Sequence, residues 1–133
     1  MMNAATKIQT SAAEDLKLSV LVVDDHRYFR ESLVSYLTDV LAVTIAGSAA
    51  NGLEAIALVQ TLKPQLVIMD IQMPEMDGVA ACCLLKARYP DLRIILYSMN
   101  APDSYDKEAL ARADSFVPKD RLFEKLSGLL MDG

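Results

Sequence analysis

A chain of 133 residues that is 53% apolar and 23% charged has the size and composition of one globular domain around a single core, which excludes most multidomain enzymes and any disordered or fibrous protein. Thirteen basic against eighteen acidic side chains give a net charge of −5, so attraction to nucleic acid or to an anionic membrane surface is not expected. No apolar run approaches the roughly 18–20 residues that span a bilayer, and the first ten residues lack the apolar core of a signal peptide, so the reading is a cytoplasmic protein with no membrane partner.

Residues 1–17 mix small, polar and charged side chains without a period and are expected to form a flexible arm or leader; the folded domain is placed at 18–133. Leu18-Ser-Val-Leu-Val-Val23 is a short apolar run closed by two aspartates, the pattern of a strand buried on both faces. From Arg27 to Asp39, Phe29, Leu33, Tyr36 and Leu37 recur at helical spacing. Val43–Gly47 reads as a strand, Asn51–Leu62 as a helix stopped by Lys63-Pro64, and Leu66-Val-Ile-Met69 as a strand ending at Asp70. Met73-Pro-Glu-Met-Asp-Gly78 is loop chemistry, after which Val79–Tyr89 is helical until Pro90. Leu92–Tyr97 is a fourth strand, Asp103–Arg112 a fourth helix, Ser115–Val117 a fifth strand and Arg121–Met131 a last helix.

This alternation predicts an α/β fold, a (βα)5 doubly wound parallel sheet of five strands with helices on both faces. Ligands of such sheets bind beyond the carboxyl ends of the strands, at the switch point in strand order. Asp24 and Asp25 follow strand one, Asp70 ends strand three, Ser98 follows strand four and Lys119 follows strand five. Three carboxylates in one crevice repel one another, and a divalent cation is the natural remedy. An all-oxygen donor set with few protein ligands suits Mg²⁺ better than Ca²⁺ or a softer metal. Each residue has a structural alternative: Asp24 and Asp25 as helix caps, Asp70 as the start of a loop, Lys119 as an exposed lysine. Their joint placement favours a site.

Val22-Val-Asp-Asp25, Val67-Ile-Met-Asp70 with Met73-Pro-Glu-Met-Asp-Gly78, Ser98, and Phe116-Val-Pro-Lys119 together resemble the receiver domain of two-component response regulators, a flavodoxin-like fold. The resemblance covers about Ser19 to Met131 and leans toward the subfamily with helix-turn-helix output domains. It implies that Asp70 accepts a phosphoryl group from a sensor histidine kinase, a phosphotransfer protein or a small donor. Asp25, Asp70 and the backbone carbonyl of Gln72 would ligate Mg²⁺, with Asp24 acting mostly through water. Lys119 and Ser98 would bind phosphoryl oxygens, which fits phosphoryl transfer by positioning and charge neutralisation. Ser98 and Phe116 would be the switch pair whose rearrangement changes a partner or homodimer surface. The chain would then be a signalling switch with self-catalysed phosphorylation and dephosphorylation, and not a dedicated enzyme.

Two positions depart from the family's pattern. Asp120 follows Lys119 where proline is common, and is expected to cap the last helix; Met99 stands where a small residue is usual. Met99, with Asn100 and Gln72, is expected to tune access to Asp70. A Mg²⁺-dependent phosphatase of the haloacid-dehalogenase type would need a second acid at position 72, where glutamine stands. A flavodoxin-type cofactor binder would set its phosphate against Asp24 and Asp25, and no glycine-rich nucleotide loop is present. The alternative inside the family is a receiver fragment of a DNA-binding regulator. His26 is read as a surface residue beside the site, and Cys82-Cys83 as packing residues of the third helix.

Overall fold

The structure is a computed structural model and describes residues 18–131; the proposed arm, residues 1–17, lies outside the described residues. Five parallel strands form one sheet: β1 (Ser19–Val23), β2 (Thr44–Ala49), β3 (Leu66–Asp70), β4 (Arg93–Ser98) and β5 (Ser115–Pro118), in the order β2-β1-β3-β4-β5. The chain runs from β1 to β2 on one side and then to β3 on the other, so the switch point lies between β1 and β3.

Alternate residues of each strand serve opposite layers, the two-residue period of a pleated strand. Val20 and Val22 of β1 and Leu66 and Ile68 of β3 face Leu33 and Leu37 of α1 (Arg27–Asp39) and Leu122 and Leu126 of α5 (Leu122–Met131). Leu21, Val23, Val67 and Met69 face Ala55 and Val59 of α2 (Gly52–Leu62) and Ala81, Cys82 and Leu85 of α3 (Gly78–Arg88). All five β3 residues are buried, the apolar ones stabilising by about 1.5–3 kcal/mol each. This double-sided burial pins the register, and with it the place where Asp70 emerges.

Local signals set the boundaries. The Asn51 side chain accepts from the Glu54 backbone N–H while Glu54 Oε1 accepts from Ala50 N–H, a reciprocal cap for α2. Lys63 closes α2 in the left-handed conformation at φ 50°, and Asp77 caps α3 through the Ala80 N–H.

Two expectations are corrected. The fourth helix does not run from Asp103 to Arg112. A 3-10 turn at Pro102–Ser104 is followed by extended backbone at Tyr105, and α4 is the single turn Lys107–Leu110. Asp106 causes the restart: its side chain accepts from the Ala109 N–H, and that capping geometry holds Asp106 out of the helix it begins. The last helix likewise starts at Leu122, because Lys119–Arg121 is a 3-10 turn, and Asp120 sits inside that turn with no capping role.

Candidate functional site at the carboxyl edge of the sheet

β1 ends at Val23 and the chain turns, so Asp24 and Asp25 need not obey strand alternation. Asp24 is fully buried and Asp70 is 2% exposed, while the Asp25 side chain keeps 30% of its surface in contact with solvent. Carboxylate oxygens of all three and a ring nitrogen of His26 lie within 4.8 Å of one another. Lys119 Nζ bridges the buried pair, 3.1 Å from Asp70 Oδ2 and 3.3 Å from Asp24 Oδ2. Ser98 is buried beside them at the end of β4.

Burial raises the Asp70 carboxyl above the ordinary carboxylate range, and the Asp24 charge pushes the same way; Lys119 and the Gln72 N–H oppose the rise. The three carboxylates differ in what holds them. Both oxygens of Asp24 are engaged: Oδ1 accepts from the His26 backbone N–H at 2.8 Å, and Oδ2 accepts from the Tyr97 hydroxyl at 2.6 Å and is ion-paired with Lys119. Asp70 Oδ1 accepts from the Gln72 N–H at 3.2 Å. Asp25 Oδ1 is shielded from solvent and has no hydrogen-bond partner among the described residues. A shielded carboxylate oxygen that accepts no hydrogen bond and has only the exposed His26 Nδ1 nearby, at 3.3 Å, is a position that a cation completes. The all-oxygen set around Asp25 and Asp70 therefore fits a hard divalent ion.

Two residues that the sequence reading left in the core belong to the site. Tyr97 is fully buried, its hydroxyl held protonated by burial first and by the Asp24 charge second, so it acts as a donor. Phe29 of α1 and Tyr97 form a wall for Lys119, whose Nζ lies 4.5 Å and 5.7 Å from the two ring centroids. An aromatic in an apolar strand looks like core filling. The available signal was the hydroxyl of Tyr97 on a buried strand end, which needs a partner. Tyr97→Phe is expected to cost the metal-free protein about 1–3 kcal/mol in urea denaturation, because Asp24 loses its shortest donor while staying buried. Stability equal to the parent would show that bond to be idle.

The remaining positions divide. Gln72, Met99 and Asn100 are exposed beyond the strand ends; Met99 is 69% exposed and so is not packed into the core. The Asn100 backbone N–H donates to Ser98 Oγ at 3.0 Å. Phe116 is half-buried on β5. His26 is mostly exposed, with Nδ1 3.3 Å from both Asp24 Oδ1 and Asp25 Oδ1. Cys82 is buried among apolar side chains that push its thiol up to about 12, the state of an inert packing residue. No helix among the described residues is long and apolar enough to cross a membrane.

Comparison with known proteins agrees with this arrangement. The family model of the response regulator receiver domain matches residues 20–130. The response regulator protein VraR of Staphylococcus aureus is 36% identical over 105 residues, covering 78% of this chain and 50% of VraR. A protein-glutamate methylesterase/protein-glutamine glutaminase of Alkalilimnicola ehrlichii is 36% identical over 115 residues, covering 85% of this chain and 29% of that protein. The chain thus spans half or less of the length of these relatives. Among solved structures, the signal receiver domain of NarL from Mycobacterium tuberculosis superposes with a TM-score of 0.79 at 29% identity, over 87% of this chain and 94% of that one. The response regulator domain of Thermotoga maritima CheB gives 0.72 at 30% identity, over 87% and 92%. With its acidic crevice at the β1–β3 switch point and a bridging lysine directly after β5, the chain belongs to the response regulator receiver domains.

Proposed function

We propose that this domain is a phosphorylation switch whose phosphoacceptor is Asp70. The observation that carries the reading is Lys119 Nζ lying 3.1 Å from Asp70 Oδ2 in a pocket that also holds Asp25 Oδ1, an oxygen with no hydrogen bond. Asp70 is the carboxylate that combines a strand-end position, a facing ammonium and an acidic neighbour with an oxygen that accepts no hydrogen bond.

In this reading Asp25, Asp70 and the Gln72 carbonyl would hold Mg²⁺, which when bound would offset the negative charge of the acids and of an incoming phosphoryl group. Asp24, saturated by Tyr97, Lys119 and the His26 N–H, holds the lysine in place and would act on the ion through water. Asp70 supplies the attacking oxygen, forming an acyl phosphate as the donor's P–N bond (phosphohistidine) or P–O bond (acetyl phosphate) breaks and the imidazole or acetate leaves. Lys119 is already beside it to take a phosphoryl oxygen, and Ser98 supplies a hydroxyl for another. Met99, Asn100 and Gln72 border the approach. The donor is a sensor histidine kinase or phosphotransfer protein, a small acyl phosphate serves as substitute, and the domain acts in the cytoplasm through a partner or homodimer contact.

Incubation with acetyl phosphate and Mg²⁺ is expected to add one phosphoryl group by intact mass, located at Asp70 by peptide mapping. Labelling elsewhere, or none, overturns the assignment. Mg²⁺ alone is expected to raise the melting temperature by relieving carboxylate repulsion, and Asp25→Ala to lose most of that rise. A metal-induced shift equal to the parent in Asp25→Ala would place the ion elsewhere.

A further inference from the structure

Ser98 does not face Asp70 through any hydrogen bond among the described residues. Its hydroxyl oxygen lies 2.5 Å from the Tyr105 hydroxyl and also accepts from the Asn100 N–H. Whichever of the two hydroxyls donates, this contact orients Ser98 Oγ toward Tyr105.

Tyr105 occupies a singular place. Across Ala101–Glu108 every residue except Tyr105 is exposed. The backbone bonds of this stretch are local: Ser104 N–H to Ala101, Tyr105 N–H to Pro102, and Leu110 N–H to Asp106. A 3-10 turn and a one-turn helix have little stability of their own. Tyr105 packs on the core layer under α3 and lines, with Phe116 and Leu110, a cavity of about 710 Å³ open to solvent. Leu110 packs on the same layer and Cys83 Sγ lies 3.8 Å from the Ala109 carbonyl, both at the far end of the segment, so Tyr105 is what fastens its Pro102–Asp106 part to the sheet, and its polar end is bonded to Ser98.

We infer that Tyr105 is a positioning residue that latches the Pro102–Leu110 segment to Ser98 in the unphosphorylated protein and gives up Ser98 to the phosphoryl group on Asp70. The inference rests on the phosphoacceptor reading above. When Ser98 turns to a phosphoryl oxygen, the Tyr105 hydroxyl loses its partner, and the segment loses its polar fastening to the sheet. The cavity shared with Phe116 gives the freed aromatic rings room to repack. The short α4 is the moving part, because nothing else among its backbone bonds ties it to β4 or β5. The latch also opposes phosphorylation, since Ser98 must break one bond to make the other.

The test uses beryllofluoride with Mg²⁺ as the phosphoryl mimic, on the full chain and on Tyr105→Phe, which keeps the ring and removes the hydroxyl. In the parent, beryllofluoride is expected to speed amide exchange at residues 101–110 at least threefold. In Tyr105→Phe those amides are expected to exchange at the faster rate without it, and beryllofluoride to bind about threefold to tenfold more tightly. In a Ser98→Ala background, Tyr105→Phe is expected to change exchange no further, which a merely space-filling tyrosine would not obey. If the parent binds beryllofluoride but Tyr105→Phe matches it in exchange and affinity, the latch is refuted and the phosphoacceptor reading stands. A weaker affinity in Tyr105→Phe also refutes it, showing a tyrosine that supports the active state. If the parent fails to bind beryllofluoride, the phosphoacceptor reading falls and takes the latch with it.

Discussion

Asp70→Asn is expected to take up no phosphoryl group from acetyl phosphate and, in the same preparation, to be more stable than the parent when metal is absent. The first effect follows from chemistry, since the amide oxygen is a poor nucleophile and cannot yield the acyl phosphate. The second follows from the cost of the site. Asp70 is 2% exposed, its carboxyl is raised by burial and by the Asp24 charge, and Lys119 compensates only in part. The folded state therefore holds the Asp70 proton more tightly than the unfolded state does. Stability from this group is fully present below the ordinary carboxylate range and is lost as pH rises through the elevated folded value. The amide has no charge to bury and can still accept from Lys119. Its advantage should be small at acid pH, grow as pH rises through that window, and level off near about 0.5–2 kcal/mol. Denaturation of both proteins in chelator across this range measures it, and saturating Mg²⁺ should narrow the gap by stabilising the parent. A variant less stable than the parent at neutral pH would mean that Lys119 more than offsets the burial.

The same balance explains how much of the site was legible in the sequence. Apolar runs closed by acids marked β1 and β3, because a strand buried on both faces excludes polar residues along its length, so the acids that close the runs, Asp24, Asp25 and Asp70, mark the carboxyl edge. Lys119 was legible from its place directly after the short strand β5. Contacts between elements distant in sequence were not legible. The Tyr97 hydroxyl meets Asp24 across 73 positions, and Phe29 reaches over Lys119 from α1. Both rings satisfy an apolar period, so the pattern alone assigns them to the core. The fourth helix failed differently: Lys107-Glu-Ala-Leu-Ala-Arg112 has good helical composition, but Tyr105 is extended and the Asp106 side chain takes the Ala109 N–H. That local choice leaves one turn of helix, with Tyr105 the half-buried residue ahead of it.

Gly78→Ala is expected to lower the rate of Asp70 phosphorylation at least tenfold and to destabilise the fold. Gly78 is the first residue of α3 and lies directly beneath the end of β3. A Cβ there would stand 2.3 Å from the Asp70 carbonyl oxygen and 2.9 Å from Ile71 Cα, and both obstacles are backbone. No rotamer change relieves such a clash. Either α3 withdraws and stretches the 2.8 Å bond from the Gly78 N–H to the Ile71 carbonyl, or the end of β3 shifts. The first route loosens the loop that carries Gln72; the second moves Asp70 away from Lys119. Overpacking of this kind costs about 1–3 kcal/mol, and a displacement of about 1 Å at a reacting group can cost on the order of 100-fold in rate. Gly128→Ala supplies the control, since Gly128 sits in α5 with open space around its Cβ position. That substitution should stabilise by about 0.5–1 kcal/mol through helix propensity and leave labelling unchanged. Comparing the two variants in initial rate of labelling by intact mass separates the close approach at Gly78 from any general effect of an added methyl. A Gly78→Ala protein that labels at the parent rate would show that the α3 terminus can yield without carrying Asp70, and that this contact does not set the geometry of the phosphoacceptor.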